Sequence, residues 1–253
     1  MTKALRTTDK ESFTDKLNSV QKRQSMKLAI MSAVLAIIWD CCGGGKTLAL
    51  LAIKLGAEEL YVGILGFALQ ISMLLSVLTY SAIEHKGKRT VMIKWLGISG
   101  IFTAIVIFIP LTAEMVNRAF SLGILLILAF CMRAAFAMGQ SGWFPLLHDF
   151  VPKRLTGRFF GRLRTSWHTS LLIGFLFIAF FLQNDPPWWK FSVLFGIAAG
   201  ATGFRLLTFI NIAEKKPRTD KLSKVTLFER FRDVLSNKDM RAYAILLSSL
   251  AML

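Results

Sequence analysis

Six runs of this chain are long and apolar enough to cross a lipid bilayer, which rules out most soluble folds. A spanning helix needs about 20 mostly apolar residues, each rising 1.5 Å, to cover a hydrocarbon core of about 30 Å. Such runs lie at about residues 28–53, 60–83, 91–113, 119–147, 166–183 and 188–212. Within lipid, backbone N–H and C=O groups find no water, so each run is expected to be helical. A seventh run begins near Tyr243 and stops at Leu253. Its residues rise only ~16 Å, so a truncated seventh span, and hence the front part of a longer protein, is expected. The expected layout is an N-terminal cytoplasmic segment over 1–27 and a six-helix transmembrane bundle over 28–212. A cytoplasmic central loop over 213–241 and the start of helix seven over 242–253 follow.

The composition agrees: 54% of residues are hydrophobic and mean hydropathy is +0.54, against about 45–50% apolar in soluble domains. The first run is longer than a signal-peptide core, lacks a small-residue cleavage site and leads into further runs. The net charge of +16 raises the question of nucleic acid, but its placement answers otherwise. Of the 31 Lys and Arg residues, 25 fall before span one, in or beside the connections between spans two and three and between four and five, or after six. Only Lys54, Arg118 and Lys190 lie in or beside the opposite connections. The positive-inside rule then places the N-terminus and even-numbered loops in the cytoplasm, in an inner (plasma) membrane. Membrane lipids, and no nucleic acid, are the expected polyelectrolyte partners. The stretch around Leu227, Phe228, Phe231, Val234 and Leu235 has helical spacing. It reads as an amphipathic surface helix or a packed linker helix.

Residues 40–50, DCCGGGKTLAL, end in Gly45-Lys46-Thr47, the tail of a phosphate-binding loop. That loop needs a glycine where Asp40 stands, and it sits between a buried strand and a soluble helix. Here the stretch lies inside an apolar run, so nucleotide binding is not expected. Cys41, Cys42 and Cys131 also lie within runs and read as small packing residues rather than disulfides or metal ligands. No cofactor and no metal is expected.

Charges inside spans are costly and usually functional. Asp40 stands thirteen residues beyond Lys27, and Arg133 fourteen beyond Ala119, approached from the other face. Both therefore lie about 20 Å deep, near mid-bilayer. They can neutralise each other if spans one and four are neighbours. Lys46 is about 240° around a regular helix from Asp40. Gly43-Gly44-Gly45 between them weakens the helix, and local unwinding would turn both side chains into one cavity. Arg205 is expected to snorkel to the inner face or to pack. Gln70 and Gln140 either line the cavity or hydrogen-bond between helices. His148 and His168 read as interfacial polar residues.

The segment LGAEELYVGILGFALQISMLLSVLTYSAIEHKGKRTVM resembles the second helix and following loop of the major facilitator superfamily, whose signature is G-x-L-x-D-R-x-G-R-R. Gly87, Lys88 and Arg89 match its glycine and two basic residues. Glu84 takes the acid's place, while His85 and Tyr80 stand at the first basic and first glycine positions. The family's fourth helix often carries R-x-x-Q-G-x-G. Arg133 and Gly139 match its ends, with Phe136 and Ala137 in between. DFVPKRLTGRFFGRLR, residues 149–164, resembles the loop between helices four and five of bacterial members.

The resemblance implies an all-α integral membrane fold, the six-helix N-terminal half of a major facilitator bundle with a partial seventh helix. It implies that helices one and four line a central cavity. Asp40, Lys46, Arg133, Gln70 and Gln140 then become candidate substrate or proton contacts, and Glu84, Gly87, Lys88 and Arg89 a cytoplasmic gating loop. The expected activity is secondary transport of a small solute by alternating access, with protonation of Asp40 a candidate coupling step. The alternatives are an integral-membrane enzyme and a non-transporting receptor or scaffold. An enzyme is not the expectation, because neither G-x-S-x-G nor H-E-x-x-H occurs. Membrane exporters driven by ATP also use six helices, but the short loops here do not suit them.

Overall fold

The computed structural model describes residues 17–112, 117–183 and 185–214; residues 1–16, the amphipathic stretch at 227–235 and the run from 243 lie outside them. All described residues belong to one compact unit, Met1–Pro217. Every regular element among them is helical. Six are long and apolar enough to cross a membrane: Ser19–Lys54, Glu59–Thr79, Lys88–Pro110, Arg118–Phe150, Lys153–Phe181 and Trp188–Ile210, called spans one to six below. The chain is thus built as a multi-pass membrane protein.

Spans one, four and five are longer than the apolar runs that announce them. Span one begins at Ser19, where the Asn18 N–H donates to Gln21 Oε1 at 3.1 Å. Span five is helical from Thr156 rather than residue 166, which places Arg158, Arg162 and Arg164 on the helix instead of in a loop. Hydropathy reports where lipid ends, whereas Arg, Lys and Gln are good helix formers that carry the helix on past that boundary. Span two tightens into a 3₁₀ helix over Ser72–Thr79, and a short helix, Tyr80–Lys86, follows it.

Contacts at the span ends fix their directions. Ser25, Lys88, Asp149, Ala213 and Glu214 meet at one end, here called the basic end. Lys54 meets Asp185, and Tyr61 meets Leu122, at the other. Successive spans therefore alternate in direction, as the charge pattern requires. The most extensive packings are span three on four, six on one, three on six, five on one and two on four. Exchanging spans one, two and three for four, five and six maps this set onto itself. With spans one and four running oppositely, the packing of the two three-helix groups follows the pattern of an inverted repeat.

Small residues permit the close approaches. A Cβ on Gly139 would stand 2.7 Å from Leu96 Cγ between spans four and three, and one on Gly43 would stand 3.0 Å from Ala198 Cβ between spans one and six. In lipid such packing replaces the hydrophobic effect as the force between helices. Polar side chains add specific ties. Trp39 Nε1 donates to Thr103 Oγ1 at 3.1 Å, Thr103 donates to the Ser99 carbonyl at 2.8 Å, and Ser99 Oγ donates to the Met132 carbonyl at 3.0 Å. This chain joins spans one, three and four beside the mid-membrane charges. Two buried apolar clusters flank it, one around Leu48, Leu125 and Phe195, the other around Met92, Leu146 and Phe209.

Candidate functional site

Span one is broken where its glycines fall. Its first helix ends at Gly43, Gly44 is extended (φ −80°, ψ −176°), and a second helix runs Gly45–Lys54. A Cβ on Gly44 would collide with the Asp40 carbonyl oxygen. The Gly44 N–H donates to Asp40 O at 3.0 Å as the last bond of the first helix, and beyond it Thr47 Oγ1 donates to the Cys41 carbonyl at 2.6 Å. Broken helices stand at membrane depth only when their polar backbone is satisfied in this way.

Just before the break, Arg133 Nη1 donates to Asp40 Oδ1 at 3.1 Å. One nitrogen meets one oxygen, leaving the other atoms of both groups available. The Asp40 side chain is 44% exposed and that of Arg133 19%. The pair thus opens outward from the bundle rather than lying inside it. Trp39 and Phe136 stack beside it, with centroids 4.1 Å apart and planes 9° apart. The Arg133 guanidinium lies 5.9 Å from the Trp39 ring and 5.5 Å from the Phe136 ring. Aromatic faces at such distances attract a cation, more so where water is scarce.

Lys46 does not join the ion pair. It is exposed, with Nζ 4.0 Å from the centroid of Phe175 on span five. The break therefore leaves two cations and one carboxylate near mid-membrane, with Lys46 held by an aromatic ring. Gln70 is exposed on span two with no side-chain partner among the described residues. Gln140 bonds between helices: its Oε1 accepts from Arg205 Nη2 at 2.7 Å.

Arg205 does not snorkel. It is 2% exposed, donates from Nε to Ser32 Oγ at 3.2 Å, and lies 5.5 Å from the Phe136 ring and 5.4 Å from that of Phe209. Counting residues from Trp188 gives its depth but not its direction, and it points into the bundle. Phe136 thus has two guanidinium groups near its ring. Arg133, Phe136 and Gln140 fall at i, i+3 and i+7, which share one helix face. That spacing is the sequence signal by which Phe136 and Arg205's partner could have been found.

At the basic end, Gly87 occupies φ +89°, ψ 151°, a region open almost only to glycine. A Cβ there would also stand 3.2 Å from Glu214 Oε1. The turn delivers the N-terminus of span three to the Glu214 carboxylate, which accepts from the backbone N–H groups of Lys88 and Arg89. An anion there is favoured by unpaired N–H groups and the helix dipole. Lys88 Nζ donates to both oxygens of Asp149 at 2.7 Å. Arg89 Nη1 donates to the carbonyls of Ile210 and Ile212, each at 3.2 Å. Spans three, four and six are thereby tied together. Glu84 falls within the short helix Tyr80–Lys86. The roles of Asp149 and Glu214 leave no local pattern in the sequence, because Asp149 lies beyond the apolar run 119–147 and Glu214 beyond the run 188–212.

Among the described residues no three His, Cys, Asp or Glu side chains converge as metal ligands. The thiols of Cys41 and Cys42 are buried and free. A shallow cleft at the end opposite the basic one is lined by Leu50, Lys54, Asp185 and Trp188. The Lys54–Asp185 pair there is 2.6 Å long but has an Asp side chain 92% exposed, so it adds little stability. No protein family model, curated protein or solved structure matches this chain.

Proposed function

We propose that this chain forms a six-helix half of a secondary transporter of the major facilitator type, moving a small solute by alternating access. The observation that carries this reading is the Asp40–Arg133 pair, which stands at a helix break midway along two spans with its carboxylate partly exposed. Ionisable groups at membrane depth mark solute or proton paths more often than they serve packing. The inverted three-plus-three packing supports the same reading, since transporters of this type are built from such repeats around a midplane site. The resemblance of residues 80–89 and 133–139 to the superfamily motifs adds to it.

In this mechanism Asp40 holds Arg133 while ionised and releases it when protonated. The freed guanidinium and the exposed Lys46 then meet the solute. A second six-helix half, which the resemblance implies, supplies the facing wall. The turn at Gly87–Arg89 with Glu214 and Asp149 locks the basic, cytoplasmic end of the bundle as one body, so rocking occurs between halves rather than within this one.

The test uses the full chain in sealed vesicles with an internal pH-sensitive dye and a panel of small organic anions, cations and zwitterions. A solute that moves protons through the wild type should fail to do so through Asp40→Asn, while downhill solute exchange persists. Proton-driven accumulation through Asp40→Asn would refute the coupling role. No solute-dependent flux from any class through the wild type would refute the transport reading.

A further inference from the structure

Span five carries a second constellation that the mid-membrane pair does not use. Lys153, Arg154, Arg158, Arg162 and Arg164 are all exposed. None of their side chains makes a hydrogen bond or ion pair with a described residue. No acidic residue occurs from Val151 through Asn184. Asp149, the nearest acid, is held by Lys88. Topology alone would be served by cations anywhere in the connection, whereas here three of them sit on the helix itself.

Their heights and directions are specific. Span five packs through Phe159, Leu163 and Ile178. Arg158 and Arg162, one turn apart, project to one side of that buried stripe, the same side as Leu172, Ile173, Leu176 and Phe180 above them. Those four apolar side chains are 63%, 61%, 51% and 70% exposed. From Phe181 down to Arg162 the helix rises about 28 Å, close to the ~30 Å thickness of the hydrocarbon layer. Arg162 therefore reaches the level of the lipid phosphates, and Arg158, Arg154 and Lys153 lie just beyond it. Between the cations and the apolar wall, Thr165 Oγ1 donates to the Gly161 carbonyl at 3.0 Å, so its hydroxyl tolerates hydrocarbon.

An occupant of this face must be anionic at one end and apolar along the rest. A second copy of the chain packed face to face in the same sense would set arginine against arginine. We propose that the basic end of span five is a binding site for anionic phospholipid, whose phosphate bridges Arg158 and Arg162 while its acyl chains lie along Leu172, Ile173, Leu176 and Phe180. Guanidinium groups suit this role because their planar donors engage phosphate oxygens in pairs. The site requires only that the six helices cross the membrane, and it stands whether or not the transport reading does.

The test reads lipids retained by the purified full chain after extraction from bilayers of equal phosphatidylglycerol and phosphatidylcholine, by mass spectrometry of the intact complex. The wild type should retain phosphatidylglycerol over phosphatidylcholine by about tenfold. Arg158→Gln/Arg162→Gln should bring the ratio close to one. Arg23→Gln/Lys27→Gln, which removes the same charge from exposed positions on span one, should leave it unchanged. Both arginines are exposed, and Arg158→Lys/Arg162→Lys checks that an altered ratio does not report misfolding: it should fold and keep part of the preference. Equal retention of the two lipids by the wild type would overturn the proposal. So would equal loss in both Gln pairs, or occlusion of the face by a second copy.

Discussion

Alanine at position 44 should abolish solute transport while leaving the six-helix bundle assembled. Gly44 joins the two helices of span one, and the methyl group would meet the Asp40 carbonyl oxygen and come 3.0 Å from Asp40 Oδ1. Both are atoms that cannot withdraw without moving the site. The backbone must shift, and either Asp40 leaves Arg133 or the second helix turns and carries Lys46 off Phe175. Overpacking of this kind costs about 1–3 kcal/mol, which a protein of this size can survive. The expected result is a modest fall in thermal midpoint with a loss of transport of at least about tenfold, since a 1.4 kcal/mol change already scales an equilibrium that much. Gly200→Ala is the control, because a Cβ there meets nothing within 4 Å. Transport by Gly44→Ala at the control's rate would show that the break is incidental.

The second large effect is an asymmetry between the partners of the ion pair. Asp40→Ala leaves a guanidinium that is 19% exposed without its carboxylate, whereas Arg133→Ala leaves a carboxylate that is 44% exposed and can reach water. An unpaired arginine near mid-membrane costs about 2.5–3.5 kcal/mol on insertion scales, and an exposed ion pair is worth only ~0–1 kcal/mol. Asp40→Ala should therefore be the most destabilised single variant, and Asp40→Ala/Arg133→Ala should regain most of that loss. Unfolding in detergent, measured as a double-mutant cycle, checks this. Additive losses would mean that the two side chains do not sense one another.

Much of this architecture is legible in the residues because lipid imposes simple rules. Length and apolarity locate the six spans, and basic residues order their ends. The pairing of Asp40 with Arg133 is legible too, since depth follows from counting residues and opposite charges at one depth attract. What counting cannot supply is direction around the helix. Arg205 has the depth of a snorkelling residue, yet its partners Ser32 and Gln140 come from spans one and four and turn it inward. Lys46 reads as facing one cavity with Asp40 once the glycines unwind the helix, and its Nζ lies over Phe175 on span five. Glu214 is invisible as a helix cap because the N–H groups it accepts from lie more than 120 residues earlier in the chain. The start of the span-five α-helix at Thr156 is hidden by its own arginines, which lower hydropathy without opposing a helix.

The central claim is that the mid-membrane charges face water rather than lipid. The most direct measurement places a single cysteine at Lys46 in the full chain, with Cys41, Cys42 and Cys131 replaced by alanine. It compares labelling by a charged, membrane-impermeant thiosulfonate with labelling by a lipid-soluble maleimide. The account predicts that Lys46→Cys reacts with the charged reagent, while Phe180→Cys, exposed on the apolar wall of span five, reacts only with the soluble one. Protection of position 46 from the charged reagent, with ready reaction from within the lipid, would contradict it.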